Sequence, residues 1–143
     1  MVTKEQDSLL AEFLEIGARA LGAVWYVEIH GCLDKIILEF DDVSLLFEAE
    51  VDFDTLRISH INSAKLQELS NKVAQTRGPW DAFIGKPFGW GWITINQQNY
   101  LDGVLLSFDG LEANILLNVM ASSIVVSSIQ SSRQLREHLQ DIQ

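Results

Sequence analysis

Basic residues are in short supply in this sequence. Ten Lys and Arg stand against twenty Asp and Glu, a formal net charge of −10. Nucleic acid and anionic membrane surfaces both need a basic footprint, so neither is expected as a partner. The single cysteine, Cys32, excludes an internal disulfide and fits a reducing compartment. Signature loops are missing as well: there is no P-loop, no dinucleotide fingerprint and no Gly-x-Ser-x-Gly elbow. Histidine is scarce, with three in the chain. His30 and Cys32, two apart, can share a strand face, but no third ligand completes a metal site, and no metal or other cofactor is expected. Cys32 as a nucleophile would need a base beside it, which the sequence does not place there; a lone Cys is more often a small core hydrophobe.

A membrane span is also absent. Residues 113–132 carry no charge, a length that would cross a bilayer. Asn114, Asn118, Ser122, Ser123, Ser127 and Ser128 would each be costly in lipid, so the segment reads as two buried strands. The N-terminus is acidic and amphipathic and lacks the apolar stretch of a signal peptide, so a cytoplasmic protein is expected. What is present is a globular composition of 143 residues, 48% apolar and 21% charged, enough for one domain spanning 1–143. The acidity is concentrated in residues 1–60, which could steer a basic partner or merely keep the protein soluble.

Periodicity divides the chain into elements. Thr3 and Gln6 form a capping box ahead of Leu9, Leu10, Phe13, Ile16 and Ala20 at helical spacing, predicting an amphipathic helix over about 4–21 ended by Gly22. The period then falls to two. Strands are expected at "AVWYVEIH", "KIILEF", "VSLLFEAEV" and "LRISHI", with Leu46 the one apolar residue on the wet face of the third. A modest helix follows over 62–78, ending at Gly78-Pro79, and "PWDAFIG" makes one helical turn. Four further strands fall at about 90–96, 100–108, 113–120 and 123–129, with Asp109-Gly110 turning between the second and third. Ser131 and Gln134 open a short amphipathic tail carrying His138 on its polar side. The class is α+β: a mostly antiparallel sheet of seven or eight strands, strongly curled or barrel-like in one version, with an N-terminal helix and short additional helices. Asp41, Asp42, Asp52 and Asp54 gather at strand ends, as turn formers in preference to a cation site.

The richest stretch is 89–103, "GWGWITINQQNYLDG". Trp90, Trp92 and Thr94 share one strand face and Gly91, Ile93 and Ile95 the other. Beyond the turn, Tyr100, Asp102 and Val104 alternate with Leu101, Gly103 and Leu105, so both faces are apolar. Glycines beside tryptophans let a ring or another backbone lie close against a strand. Asn96, Gln97 and Gln98 line the connection, where they can satisfy loop amides or hydrogen-bond a ligand. The N-terminal helix stripe is expected to cover Ile93, Ile95, Val104, Leu106 and Phe108. Trp90, Trp92, Leu101 and Leu105 then need sheet curl or a second chain. Asp102 is expected to bond backbone amides at the bend before Gly103.

"WITINQQNYLDGVLLSF" resembles the most recognisable segment of a family of small, mostly bacterial proteins known only as a domain of unknown function. The residues that carry the resemblance are Trp92, Asn96, Gln97, Gln98, Tyr100, Asp102 and Gly103, with Asn99 standing where the family has glycine. "KIILEFDDVSLLFEAE" and "NVMASSIVV" resemble its early hairpin and last strand. The resemblance covers most of 24–129, matches the N-terminal helix and 62–80 poorly, and implies a compact fold without an activity. Two functions are expected from the residues. The first is a non-enzymatic protein-binding or self-associating module, immunity- or inhibitor-like, using Trp90, Trp92, Asn96, Gln97, Gln98, Tyr100 and Asp102 as its surface, with a homodimer as one form. The second is a small-molecule module or weak hydrolase using Asp102 in an aromatic-lined pocket.

Overall fold

The computed structural model describes residues 11–50, 54–75, 78–98 and 100–129. The capping box at Thr3, the leucines at 9 and 10, Asp52 and the tail with Ser131, Gln134 and His138 lie outside the described residues. Among the described residues, antiparallel strands form two sheets. β1 (Ala23–Ile29), β2 (Cys32–Glu39), β3 (Ser44–Glu50) and β4 (Thr55–Ile61) run as successive hairpins, and β5 (Lys72–Ala74) pairs with the other side of β1. The order is β4-β3-β2-β1-β5. β6 (Phe88–Ile95), β7 (Leu101–Phe108), β8 (Ala113–Met120) and β9 (Ser123–Ser128) form a second sheet in chain order. The eight expected strands are all present. The barrel-like version is not: the strands form two open sheets, each with its own edges.

Alternation explains why the sheets face each other. Val24, Ile36, Leu38, Leu45, Phe47, Leu56 and Ile58 point inward from the first sheet. Val104, Leu106, Ile115, Leu117, Val119 and Ile124 point inward from the second, and all belong to one buried cluster. The core face of the hairpin is therefore covered chiefly by the opposite sheet, where the sequence had assigned a helix. The first sheet is apolar on its outer face too. Val27, Ile37, Leu46 and Ile61 meet Leu66 there, with Trp25 and Leu69 packed against them. Leu46, out of pattern in the sequence, is thus the outward-facing member of a strand buried on both sides.

Short helices close the gaps. α1, of which residues 11–16 are described, stops at Gly17, whose φ of 59° is left-handed. The helix therefore ends before Gly22. Arg19 bonds the last carbonyls, of Glu15 (2.6 Å) and Ile16 (3.0 Å), and pairs with Asp42 (2.8 Å). α2 (Ser63–Glu68) is capped by Asn62, whose side chain accepts from Lys65 N–H (2.8 Å), and covers the outer face through Leu66. It ends early because the chain is taken up by pairing at β5, so the helix expected to 78 is six residues long and Val73 is a strand residue, 63% exposed. A 3₁₀ turn (Gly78–Phe83) then buries Trp80 completely. Its indole N–H donates to the Tyr26 hydroxyl (2.5 Å) and its ring meets Phe108 edge-on at 6.4 Å. Removing a side chain of that size from water stabilises by roughly 4–6 kcal/mol, an upper figure.

Burial pushes the Tyr26 phenol above its ordinary value, the Trp80 bond works the other way, and nearby Glu28 adds to the rise. The folded state therefore favours the neutral phenol. That preference is fully expressed below about pH 10 and is lost as pH rises through the folded value. Tyr26→Phe is expected to cost about 1–3 kcal/mol at neutral pH, because the Trp80 N–H loses its acceptor. It should also flatten the alkaline decline of stability, measured by urea unfolding between about pH 8 and 11. An unchanged alkaline limb would show that Tyr26 does not titrate with unfolding.

Candidate functional site

Packing explains the glycines of "GWGW". A Cβ built on Gly91 would lie 2.7 Å from the ring of Phe13, and one on Gly89 would lie 1.8 Å from the Gly110 carbonyl oxygen. One glycine admits the helix's aromatic ring and the other admits the backbone of the β7–β8 turn. Phe13 is 1% exposed and stands 6.2 Å from both the Phe88 and Trp90 rings. The strand is irregular at Gly89: its register shifts between Phe88 and Trp90. The buried Ser107 hydroxyl repairs that break, accepting from Trp90 N–H (2.8 Å) and donating to the Gly110 carbonyl (2.9 Å).

α1 is held at its other side by β4. His60 Nε2–H donates to the Glu12 carbonyl (2.9 Å) and Nδ1 faces the Glu12 carboxylate. The helix thus bridges β4 and β6, edge strands of different sheets. His60 is spent on this junction. His30 and Cys32 sit exposed around the β1–β2 turn, His30 at φ 53°. Among the described residues no three His, Cys, Asp or Glu come together as metal ligands. Asp42 and Asp54 stand at opposite ends of β3, one paired with Arg19 and the other accepting from Ser122 N–H (2.8 Å), so the acids proposed as a cluster are separated.

The candidate residues divide into three groups. Trp90 packs against the main core beside Phe13. Asn96, Gln97, Gln98 and Tyr100 lie in the β6–β7 connection. There Asn96 Oδ1 accepts from Gln98 N–H (2.9 Å) and Tyr100 N–H (3.1 Å), so this amide organises its own loop, while Gln97, Gln98 and Tyr100 are exposed. Trp92 and Asp102 lie on the outer face. Thr94 stands opposite Gly103 and Ile95 opposite Leu101, which makes Asp102 an extra residue in the ladder. Its carboxylate accepts from the Thr94 hydroxyl (2.8 Å). The partner is a side chain across the hairpin in place of the expected turn amides. The same shift sends Leu101 to the core, away from the outer face expected for it.

Trp92 is opposite Leu105, and Leu105 is opposite Leu116, giving a row of three half-buried apolar side chains across β6, β7 and β8. None of the three belongs to either buried cluster. The strands of the first sheet that approach this sheet, β2, β3 and β4, share the inner core with it. Leu116 lies outside the motif at 89–103 and was not among the candidate residues. Its signal was there: in "ANILLNVM" Asn114, Leu116 and Asn118 share the wet side, and Leu116 alone among them is apolar. The four strands β6–β9 carry one charged side chain, Asp102, whereas β1–β5 carry Glu28, Asp34, Lys35, Glu39, Glu48, Glu50, Arg57 and Lys72.

The fold and this face define a two-sheet antiparallel domain with one charged and one nearly uncharged sheet. A family described as a family of unknown function (DUF6334) matches residues 5–133, and the chain belongs to that family. The match runs through the N-terminal helix region and through 62–80, which the motif resemblance had left out. Comparison with curated proteins and with solved structures gives no match. Among the described residues no helix is long and apolar enough to cross a membrane.

Two pairs of substitutions test the assignments. Gly91→Ala is expected to lose about 1–3 kcal/mol by forcing Phe13 aside, and Phe13→Leu in that background should cost less than in the native chain. Ser107→Ala is expected to lose about 1–3 kcal/mol by orphaning Trp90 N–H, while Asp102→Asn, which keeps an acceptor for Thr94, should lose under about 1 kcal/mol. Thermal or urea unfolding reads all four. Additive losses at 13 and 91 would disprove the ring-on-glycine contact.

Proposed function

We propose that this protein is a non-enzymatic binding module that docks another protein on the outer face of its second sheet, around Trp92, Leu105 and Leu116. One observation carries the reading: an apolar row lies half-buried, outside both cores, on the sheet that is almost free of charge. Aromatic and aliphatic anchors surrounded by neutral polar groups are the usual centre of an interface. Thr94, Asn118 and Ser127 supply such groups beside the row. The acids of the first sheet and its turns would steer a basic partner, as an immunity or inhibitor protein does, and the neutral face would make the contact. The hydrolase alternative gains nothing from Asp102, which already bonds Thr94.

The test is affinity capture from the source cells with three baits: the native chain, Leu116→Glu and Asp102→Asn. Leu116 is half-exposed, so the charge tests the surface and spares the core. The expected outcome is a set of proteins retained by the native chain and by Asp102→Asn and lost with Leu116→Glu, by tenfold or more, about 1.4 kcal/mol. Equal capture by all baits, or none by the native chain, would refute the reading, and loss with Asp102→Asn alone would point to the carboxylate.

A further inference from the structure

We infer that the chain's own residues 130–143 lie across the Trp92–Leu105–Leu116 row and mask it, so that a docking partner must displace them. The contact follows from the face and the tail alone, and only its role in docking rests on the proposed function. Topology brings the tail to the row. Ile129, the last described residue, donates its N–H to the Asn114 carbonyl (2.8 Å). Ser127, two residues earlier, stands opposite Leu116. Ser127, Leu116, Leu105 and Trp92 therefore form one line across the four strands. The chain leaves the β9 end of that line, about 7 Å beyond it at a strand rise near ~3.3 Å per residue.

The tail's sequence fits the row in pattern and in length. Ser131 and Gln134 form a capping box, and Leu135, Leu139 and Ile142 follow at spacings of four and three, on one side of a helix. Leu135 to Ile142 covers about 10 Å at ~1.5 Å per residue. Leu116 to Trp92, two strand spacings apart, also covers about 10 Å. Three apolar side chains of the tail thus meet three of the sheet, with Leu139 at Leu105 in the middle. There is room beside the row: Gly103, opposite both Thr94 and Asn118, puts no side chain on that face.

Two properties select the tail over a second copy as the resting occupant. The first is tethering. A segment joined to β9 meets the row intramolecularly, at an effective concentration that is roughly millimolar, so a short aliphatic stripe suffices. The second is charge. The tail holds Arg133 and Arg136 against Glu137 and Asp141, which balance, and at helical spacing all four fall off the stripe. A second copy instead brings a net charge of −10 to a molecule of the same charge. A partner that docks on this face competes with the tail, and its apparent affinity falls with the fraction of chains whose row is open.

The test is methyl NMR on the full native chain. Within one chain, NOEs are expected from the Leu139 methyls to Leu105 and from Ile142 to the Trp92 indole, and Leu139→Glu should erase them. Absence of these NOEs in the native chain overturns the inference. So does their appearance only between labelled and unlabelled chains, which would assign the face to a second copy. In affinity capture from the source cells, Leu139→Glu should raise the yield of the proteins retained by the native chain by about threefold or more. Equal, non-zero yields from the two baits overturn the masking. The docking reading fails separately. NOEs with no protein captured by either bait keep the contact and remove the partner, whereas capture lost with Leu116→Glu and no tail NOEs keeps the partner and removes the contact.

Discussion

The rest of the structure depends on a ring lying where a side chain would otherwise be. Phe13 rests on the bare backbone of Gly91, and the same short helix reaches His60 on β4 through Glu12. Two open sheets facing each other leave a gap wherever their edges diverge, and apolar side chains bordering such a gap would meet water. α1 fills one gap by touching an edge strand of each sheet. Trp80 fills another between β1 and β7, anchored at Tyr26 and Phe108. The tryptophan and glycine content of the motif therefore serves two different ends. Gly89, Gly91 and Trp90 serve the joint, and Trp92 is left for the surface.

Charge is partitioned as sharply as shape. The acids and the few bases are spread over the first sheet and its turns, where they pair locally: Arg19 with Asp42, Lys35 with Asp34, Arg57 with Glu50. These pairs are partly or largely exposed and contribute little to stability. Each pair is neutral, so the longer-range field comes from the excess of acids over bases on that sheet, which repels acids and attracts bases. The second sheet has no such field. A face almost without charge, on a molecule of net charge −10, is the region where contact costs least, and the docking reading follows from that contrast.

Much of this was legible in the residues. Strands of period two, the turn at Asp109-Gly110, and the role of glycine beside tryptophan all follow from local rules, because alternation and left-handed φ are properties of short segments. The departures have specific causes. Helix spacing at Leu66 and Leu69 did continue to Val73, but a free edge on β1 offered three residues backbone pairing, and β5 took them. Gly22 was the candidate helix end, but Leu21 N–H bonds the Lys86 carbonyl and Gly22 N–H the Glu39 carbonyl, so both belong to segments beyond the helix, which breaks at Gly17. Asp102 looked like a turn acid, and a one-residue bulge carried it to Thr94.

From the sequence alone came the class of elements, their order, the acidic first half and the neutral last strands, since each depends on neighbours a few residues apart. Tertiary structure alone decided which face of each strand is covered, that eight candidate strands and a ninth form two open sheets instead of one, and that Trp90 packs against the core while Trp92 does not. These depend on which distant segment arrives: Phe13 at Gly91 from almost eighty residues away in the chain, Ser123 at Leu33 from ninety. A pattern of alternation says that a strand has two faces, and only the arriving partner determines which of two apolar faces it will bury.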